Sequence, residues 1–174
     1  KPATEAPKPA TEPPSPAAPT KDPDALRRSV TFRSLSAILG KIPSNTPSQS
    51  TGFWNDLQLR VAEDWLKDNV VGSTLSTALK FSVASPAGDK AVWVDFWDSP
   101  FRVNNLRVVN ANVKGLFSAD QMSRLSRLKN AQSYSIVGVI DRISIRSPGA
   151  KSSRDPCVNI EIQVNLKDCK LGTM

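Results

Sequence analysis

Between residues 75 and 171 apolar and polar positions alternate with a period of two in five separate runs. Period-two alternation is what a half-buried strand requires. In the first run Leu75, Leu79, Phe81 and Val83 alternate with Ser76, Ala78, Lys80 and Ser82, and the turn Pro86-Ala87-Gly88-Asp89 ends it. The second, Ala91 to Trp97, places Val92, Val94 and Phe96 on one face and Trp93, Asp95 and Trp97 on the other. The third spans Phe101 to Lys114, with Val103, Val109, Ala111 and Val113 on one parity and Leu106 and Val108 on the other. Gly115 then precedes a predicted helix over 118–129 (SADQMSRLSRLK), with Ser118 as cap, Gln121 completing a capping box, and Met122, Leu125 and Leu128 as its buried face. The fourth run, Tyr134 to Ile145, moves its apolar phase from even to odd positions, which predicts a bulge near Gly138 or burial on both faces. The last run alternates most regularly: Val158, Ile160, Ile162, Val164 and Leu166 inward, Asn159, Glu161, Gln163 and Asn165 outward.

Two helices are predicted upstream. Residues 25–42 carry Leu26, Val30, Leu35, Ile38, Leu39 and Ile42 behind a capping Asp24, with Gly40 near the end. The stretch 43–52 (PSNTPSQSTG) is a loop by its prolines, serines and glycine. A second helix from Trp54 to Asp68 aligns Leu57, Val61 and Trp65 on one face, flanked by Trp54 and Leu66, and is expected to pack on the strands. Strand, strand, strand, helix, strand, strand is the order of a small five-stranded Greek-key barrel of the OB type. The expected fold is therefore α+β: an OB-like barrel over 71–171, with its helix between strands three and four, preceded by a helical segment over 25–70.

Composition changes the picture mainly at the front. Residues 1–24 hold eight of the fourteen prolines, no aromatic residue and no Val, Ile, Leu, Phe or Met. The segment repeats KPATEAP (1–7) as KPATEPP (8–14). Such a segment buries too little apolar surface to offset its ordering entropy, so it reads as a disordered, partly extended tether. Its three Lys and four acids stand against a whole-chain charge of +7, leaving the remainder at +8. A basic domain favours polyanionic partners, although dispersed Lys and Arg serve solubility equally well. Arg27, Arg28, Arg33 and Lys41 make 25–51 basic and acid-free like a transit peptide, but its place behind a tether favours a docked basic helix. No apolar run approaches the length of a transmembrane helix. The chain opens on Lys1 rather than Met, which reads as a mature or trimmed form. Were Cys157 and Cys169 on one strand, twelve residues would separate them, and two thiols are expected rather than a bridge.

The pattern Leu125-x-x-Leu128-Lys129-x-x-x-x-Tyr134-x-Ile136-x-Gly138-x-Ile140, followed by a last strand ending Leu166-Lys-Asp-Cys169-x-Leu171, resembles the bacterial tRNA-anticodon-binding-like OB families. The lead-in Trp65-Leu66-x-x-Asn69-x-Val71-Gly72 is similar to secreted, planctomycete-type members. The resemblance covers roughly residues 61–171 and rests mostly on hydrophobic pattern. It implies the barrel and a binding role in the cell envelope, not a substrate.

Chemistry points the same way. The chain has no His, hence no imidazole base, no Ser-His triad and no His-containing metal site. Two cysteines cannot build a four-thiolate zinc site, and no glycine-rich phosphate loop occurs. No catalytic residue, metal ligand or cofactor is assigned, and Asp95, Asp98, Asp141 and Glu161 read as solvated outward positions. OB barrels bind ligands on strands two and three and their flanking loops. Here that face would offer Trp93 and Trp97, with Arg102, Asn104 and Arg107 from strand three and Lys151 and Arg154 from the basic loop 147–156. Aromatic rings interleaved with cations suit stacked bases, whereas Asp95 between the tryptophans repels phosphate. The competing expectation buries Trp93 and Trp97 beneath the upstream helices with Trp54 and Trp65. The expected function is a non-enzymatic binding or structural module engaging a protein or envelope component, secreted, periplasmic or lipoprotein-anchored. The alternative is a single-stranded nucleic-acid binder, with an intracellular site as the alternative location.

Overall fold

The structure, a computed structural model, describes residues 30–43, 56–104, 106–148 and 158–172. The proline-rich tether, Asp24, Trp54, Lys151, Arg154 and Cys157 lie outside the described residues, as does most of the predicted loop 43–52. The elements run β1 (Thr31–Phe32), α1 (Leu35–Leu39), α2 (Asp56–Val70), β2 (Thr74–Pro86), β3 (Ala91–Asp98), β4 (Phe101–Val103) and β5 (Leu106–Ser118). A 3-10 turn (Ala119–Gln121) leads into α3 (Met122–Leu125), followed by β6 (Ser133–Arg146) and β7 (Val158–Leu171).

The strand path β2-β3-β5-β7-β6 closes on itself, because β6 also pairs with β2. All pairings in this ring are antiparallel except β5 with β7. That is the closed five-stranded OB arrangement the alternation predicted. Strand β2 serves two neighbours: its first half, Thr74 to Lys80, pairs β6, and its second half, from Lys80, pairs β3, with a bulge between Phe81 and Val83. The bulge lets one strand turn from one wall of the barrel to the next. β1 adds in parallel to the start of β2, and β4 folds back on β5.

Every barrel strand sends alternate apolar side chains inward. One transverse row, Phe81, Phe96, Val113, Val164 and Ile143, is in register across all five strands and buried throughout. Phe96 meets Phe81 edge-on at 6.3 Å between ring centroids and Phe117 at 6.1 Å, geometries aromatic quadrupoles favour. Cys169 lies between two glycines of flanking strands. A Cβ at Gly138 would fall 2.8 Å from its sulfur and one at Gly115 would fall 3.0 Å from it. Burial pushes its thiol pKa up to about 12, against the opposing pull of a backbone hydrogen bond from Leu116.

Several sequence expectations need correction. The described part of 25–42 is not one helix but β1 followed by the five-residue α1, which Ser34 caps by accepting from the Ala37 N–H at 3.1 Å. α2 runs two residues beyond Asp68, and its buried stripe is Leu59, Ala62, Leu66 and Val70, while Val61 is exposed and Trp65 only partly buried. α2 packs on β6 and α1 on β4. The third run is not continuous: Asn104, at φ 52°, turns the short β4 back onto β5. A register shift between Val108 and Asn110 then accounts for its change of parity. The 118–129 helix contracts to a 3-10 turn, one turn of α-helix and two further i→i+3 bonds reaching Leu128. Its capping box does not form. Ser118 Oγ donates to Asp120, and the Gln121 carboxamide reaches β7, donating to Cys169 O at 2.8 Å and accepting from the Leu171 N–H at 3.3 Å. Leu125 is buried and Leu128 partly so, but Met122 is exposed. The β6–β7 pairing does shift register between Val137 and Val139, at the predicted Gly138, but a second shift, between Ile140 and Arg142, is where the apolar phase of β6 changes.

Candidate functional site

The outer face of the ring is organised by the same registers as the core. One residue along each strand from the buried row lies a second row, Lys80, Trp97, Asn112, Gln163 and Ser144, in register across β2, β3, β5, β7 and β6. Its neighbour on the outer face is Val83, Asp95, Lys114, Asn165 and Arg142. Beyond that, Trp93 stands opposite Ser85 and Leu116. On the other side Asn110 stands opposite Glu161, and Glu161 opposite Arg146. Over β2, β3, β5 and β7 these rows line an open groove of about 520 Å³, which includes Ser82, Asp95, Trp97, Asn112, Lys114 and Gln163. A smaller hollow of about 160 Å³ continues from Gln163 across Asn165 to Arg142 and Ser144.

Trp93 and Trp97 are both half-buried on this face, and each carries a lysine on its ring. The Lys80 ammonium lies 4.4 Å from the Trp97 ring centre and donates to Ser99 Oγ at 2.9 Å. The Lys114 ammonium lies 5.4 Å from the Trp93 ring and 4.0 Å from the Asp95 carboxylate. At such range a cation is held by the ring quadrupole, by about 0.5–1 kcal/mol where solvent has access. Asp95 is therefore not an isolated repulsive charge but the counter-ion of Lys114. The other outward acids have partners too: Asp141 pairs with Lys167 at 3.0 Å, Glu161 pairs with Arg146, and Asp98 accepts from the Ser99 N–H at 2.8 Å. The expectation that Asp141, Asp98, Glu161 and Asp95 lie outward holds, with each tied to a neighbour.

The candidate residues divide into two groups. Trp93 and Trp97 belong to the groove face. Arg102 and Arg107 stand directly opposite each other on the β4–β5 hairpin, both exposed, with the exposed Asn104 near the turn. From the Trp97–Asn112 row to Arg107 is five residues of β5, or roughly 15–17 Å of strand. The hairpin thus lies at the end of the face rather than in the groove, and Lys151 and Arg154 are outside the described residues. Sequence reasoning missed Lys80, Asn110, Asn112 and Lys114 as parts of the face. The available signal was the run of polar even-numbered positions in the third strand, but only the parallel β5–β7 register sets Asn112 beside Gln163. Among buried polar atoms, Asn165 Oδ1 has no hydrogen-bond partner, which leaves an acceptor unused beside the smaller hollow.

No family model matches the chain, and no curated protein matches it. Among solved structures, one from Klebsiella pneumoniae described as a "putative nucleic acid-binding lipoprotein" is similar at a TM-score of 0.38 and 12% identity, over 87% of this chain and 98% of that one. A likeness of this size fixes neither the fold nor the ligand; the fold stands on the strand registers described above. Among the described residues, no helix is long and apolar enough to cross a membrane.

Proposed function

We propose that the chain is a non-enzymatic OB-type binding module, carried on its proline-rich segment, that engages a component of the cell envelope through the outer face of β3, β5 and β7. The observation that carries this reading is the groove itself. It sits where OB barrels take ligands and is lined by the half-exposed Trp97 and a row of amides, with Trp93 farther along the same face and Lys114 of the lining beside the Asp95 carboxylate. A secreted, periplasmic or lipoprotein-anchored site, and kinship with the tRNA-anticodon-binding-like OB families, belong to the same proposal. Both rest on the hydrophobic pattern quoted above and on the tether.

The test is co-sedimentation of wild-type protein and a Trp93→Ala/Trp97→Ala variant with isolated envelope fragments. The wild type is expected to sediment and the variant to lose most of that binding; equal sedimentation would sink the assignment of this face. The second reading, a single-stranded nucleic-acid binder, is favoured by the lysine–tryptophan pairs. It requires affinity for oligonucleotides to fall steeply with salt, in proportion to the phosphates contacted. A steep log–log slope would put this reading first, and a flat one removes it.

A further inference from the structure

We infer that the far end of the barrel wall holds a second ligand pocket, for a small amphiphile with one negative charge, a carboxylate on an apolar body. It lies where β3 begins and where β5 and β7 end, six residues along β3 from Trp97 and roughly 20 Å from it. The inference goes beyond the binding-face reading above and does not rest on it. At about 320 Å³ the pocket falls within the size range of small-molecule sites.

A break in the strand ladder makes the space. Between the pairs Gly115–Leu166 and Phe117–Cys169, the single residue Leu116 of β5 stands against two of β7, Lys167 and Asp168. Asp168 takes up the extra length at φ 53°. The Leu116 N–H turns to the Cys169 sulfur. The core residues Phe117 and Cys169 and the half-buried Leu116 and Ala91 thus line one opening. Hydrogen bonds from outside the ladder tie its walls down. The Gln121 carboxamide, itself in the lining, bonds Cys169 O and the Leu171 N–H, and the Ala119 N–H donates to Lys90 O at 3.0 Å. Walls fixed in this way need little ordering when a ligand arrives.

Charge selects the occupant. Lys90, Lys170 and Asp168 all line the pocket and all are exposed. Among the described residues neither of these lysines has an ion pair, whereas Lys114 of the groove has Asp95. Two positive charges against one negative leave +1, the complement of a single carboxylate. A dianion would meet Asp168, and a cation would meet both lysines. The apolar floor of Leu116, Phe117 and Cys169 then takes the rest of the molecule. Each methylene buried there should tighten binding by up to about fourfold.

The full chain is titrated by calorimetry with butanoate, hexanoate, octanoate and 2-naphthoate, with octanol and octylamine as comparators. Affinity is expected to rise along the alkyl series, and the acids to outbind both comparators. Octanoate above naphthoate assigns an acyl ligand and the reverse an aromatic one; either order upholds the pocket. Lys90→Ala/Lys170→Ala should weaken binding of the preferred acid by about five- to tenfold, the loss of two exposed ion pairs. Both lysines are exposed, so the thermal midpoint should stay with the wild type. Asp168→Asn should tighten binding by about twofold, and Ala91→Phe, which fills the opening, should abolish it. Trp97→Ala should leave it unchanged, so this pocket and the groove can fail separately. Absence of binding by both octanoate and naphthoate overturns the inference. So does equal binding of octanol or octylamine, or an affinity that the double lysine variant leaves at the wild-type value.

Discussion

Two rows of side chains cross this barrel one residue apart on every strand, and they have nothing in common but their backbone. Phe81, Phe96, Val113, Val164 and Ile143 are all buried; Lys80, Trp97, Asn112, Gln163 and Ser144 are all polar or half-exposed. Because side chains alternate faces, a single register specifies both rows at once. The strand pairing that packs the phenylalanines also sets the amides side by side. A ligand face on such a sheet needs no loop to position it, and its precision comes from the core beneath.

The largest test of this coupling is Phe96→Ala. It empties the middle of the aromatic cluster and should cost about 3–5 kcal/mol, read as a fall in the denaturant midpoint, with ligand binding lost alongside the fold. Next comes Gly138→Ala, whose new methyl would meet the Cys169 sulfur at 2.8 Å and the Leu166 Cβ at 3.1 Å. Overpacking of this kind costs roughly 1–3 kcal/mol. The added substitution Cys169→Gly, which removes the nearest atom, should recover part of it. If the double variant is no better than the single one, the barrel wall rather than the thiol is the obstacle.

Alkaline pH acts on the same thiol. Its folded pKa of about 12 lies above its ordinary value of 9.0, so above pH 9 the unfolded chain releases a proton that the folded chain retains. The stabilisation is complete below pH 9 and is lost progressively as pH rises toward 12, which a series of denaturant melts would follow; removing the thiol by Cys169→Ala should flatten that portion of the profile. A smaller gain is expected from Ala131→Gly. Ala131 sits at φ 61°, a left-handed conformation that costs an alanine more than a glycine, and relief should add roughly 0.5–1 kcal/mol. The smallest effect closes the comparison. Asn112→Ala, next to Val113 in sequence but on the outer row, should change stability by no more than about 0.5 kcal/mol. A larger loss would mean that the outer row helps hold the barrel.

The barrel was legible because its five strands announce their inner faces by alternation, and because a short non-strand stretch falls between the third and fourth. What escaped was whatever depends on a tertiary partner. Gln121 reads as a helix-capping residue, yet two backbone groups of β7, some fifty residues away, take its carboxamide, and the helix contracts accordingly. Asn104 reads as one more strand position, because nothing local distinguishes an extended Asn from one turned to φ 52°. In α2, Val61 and Leu59 are equally apolar, and only contact with the barrel decides which is buried. Of the site, Trp93 and Trp97 were visible as the outward aromatics of one strand. Their neighbours were not, because Asn112 meets Gln163 through a parallel pairing between strands some fifty residues apart.

That parallel pairing also sets an order of events. β7 is inserted between β5 and β6, so until it arrives the other four strands form an open sheet with two unpaired edges. Exposed edges recruit other chains, and long-range parallel pairing is among the slower steps of folding. A ribosome releases β7 last of the strands described here, so the nascent barrel carries both edges from the completion of β6 until β7 emerges. Gln163, in the middle of the groove, reaches its place only when β7 closes the ring, so a chain that can bind through this row is one whose barrel has finished folding.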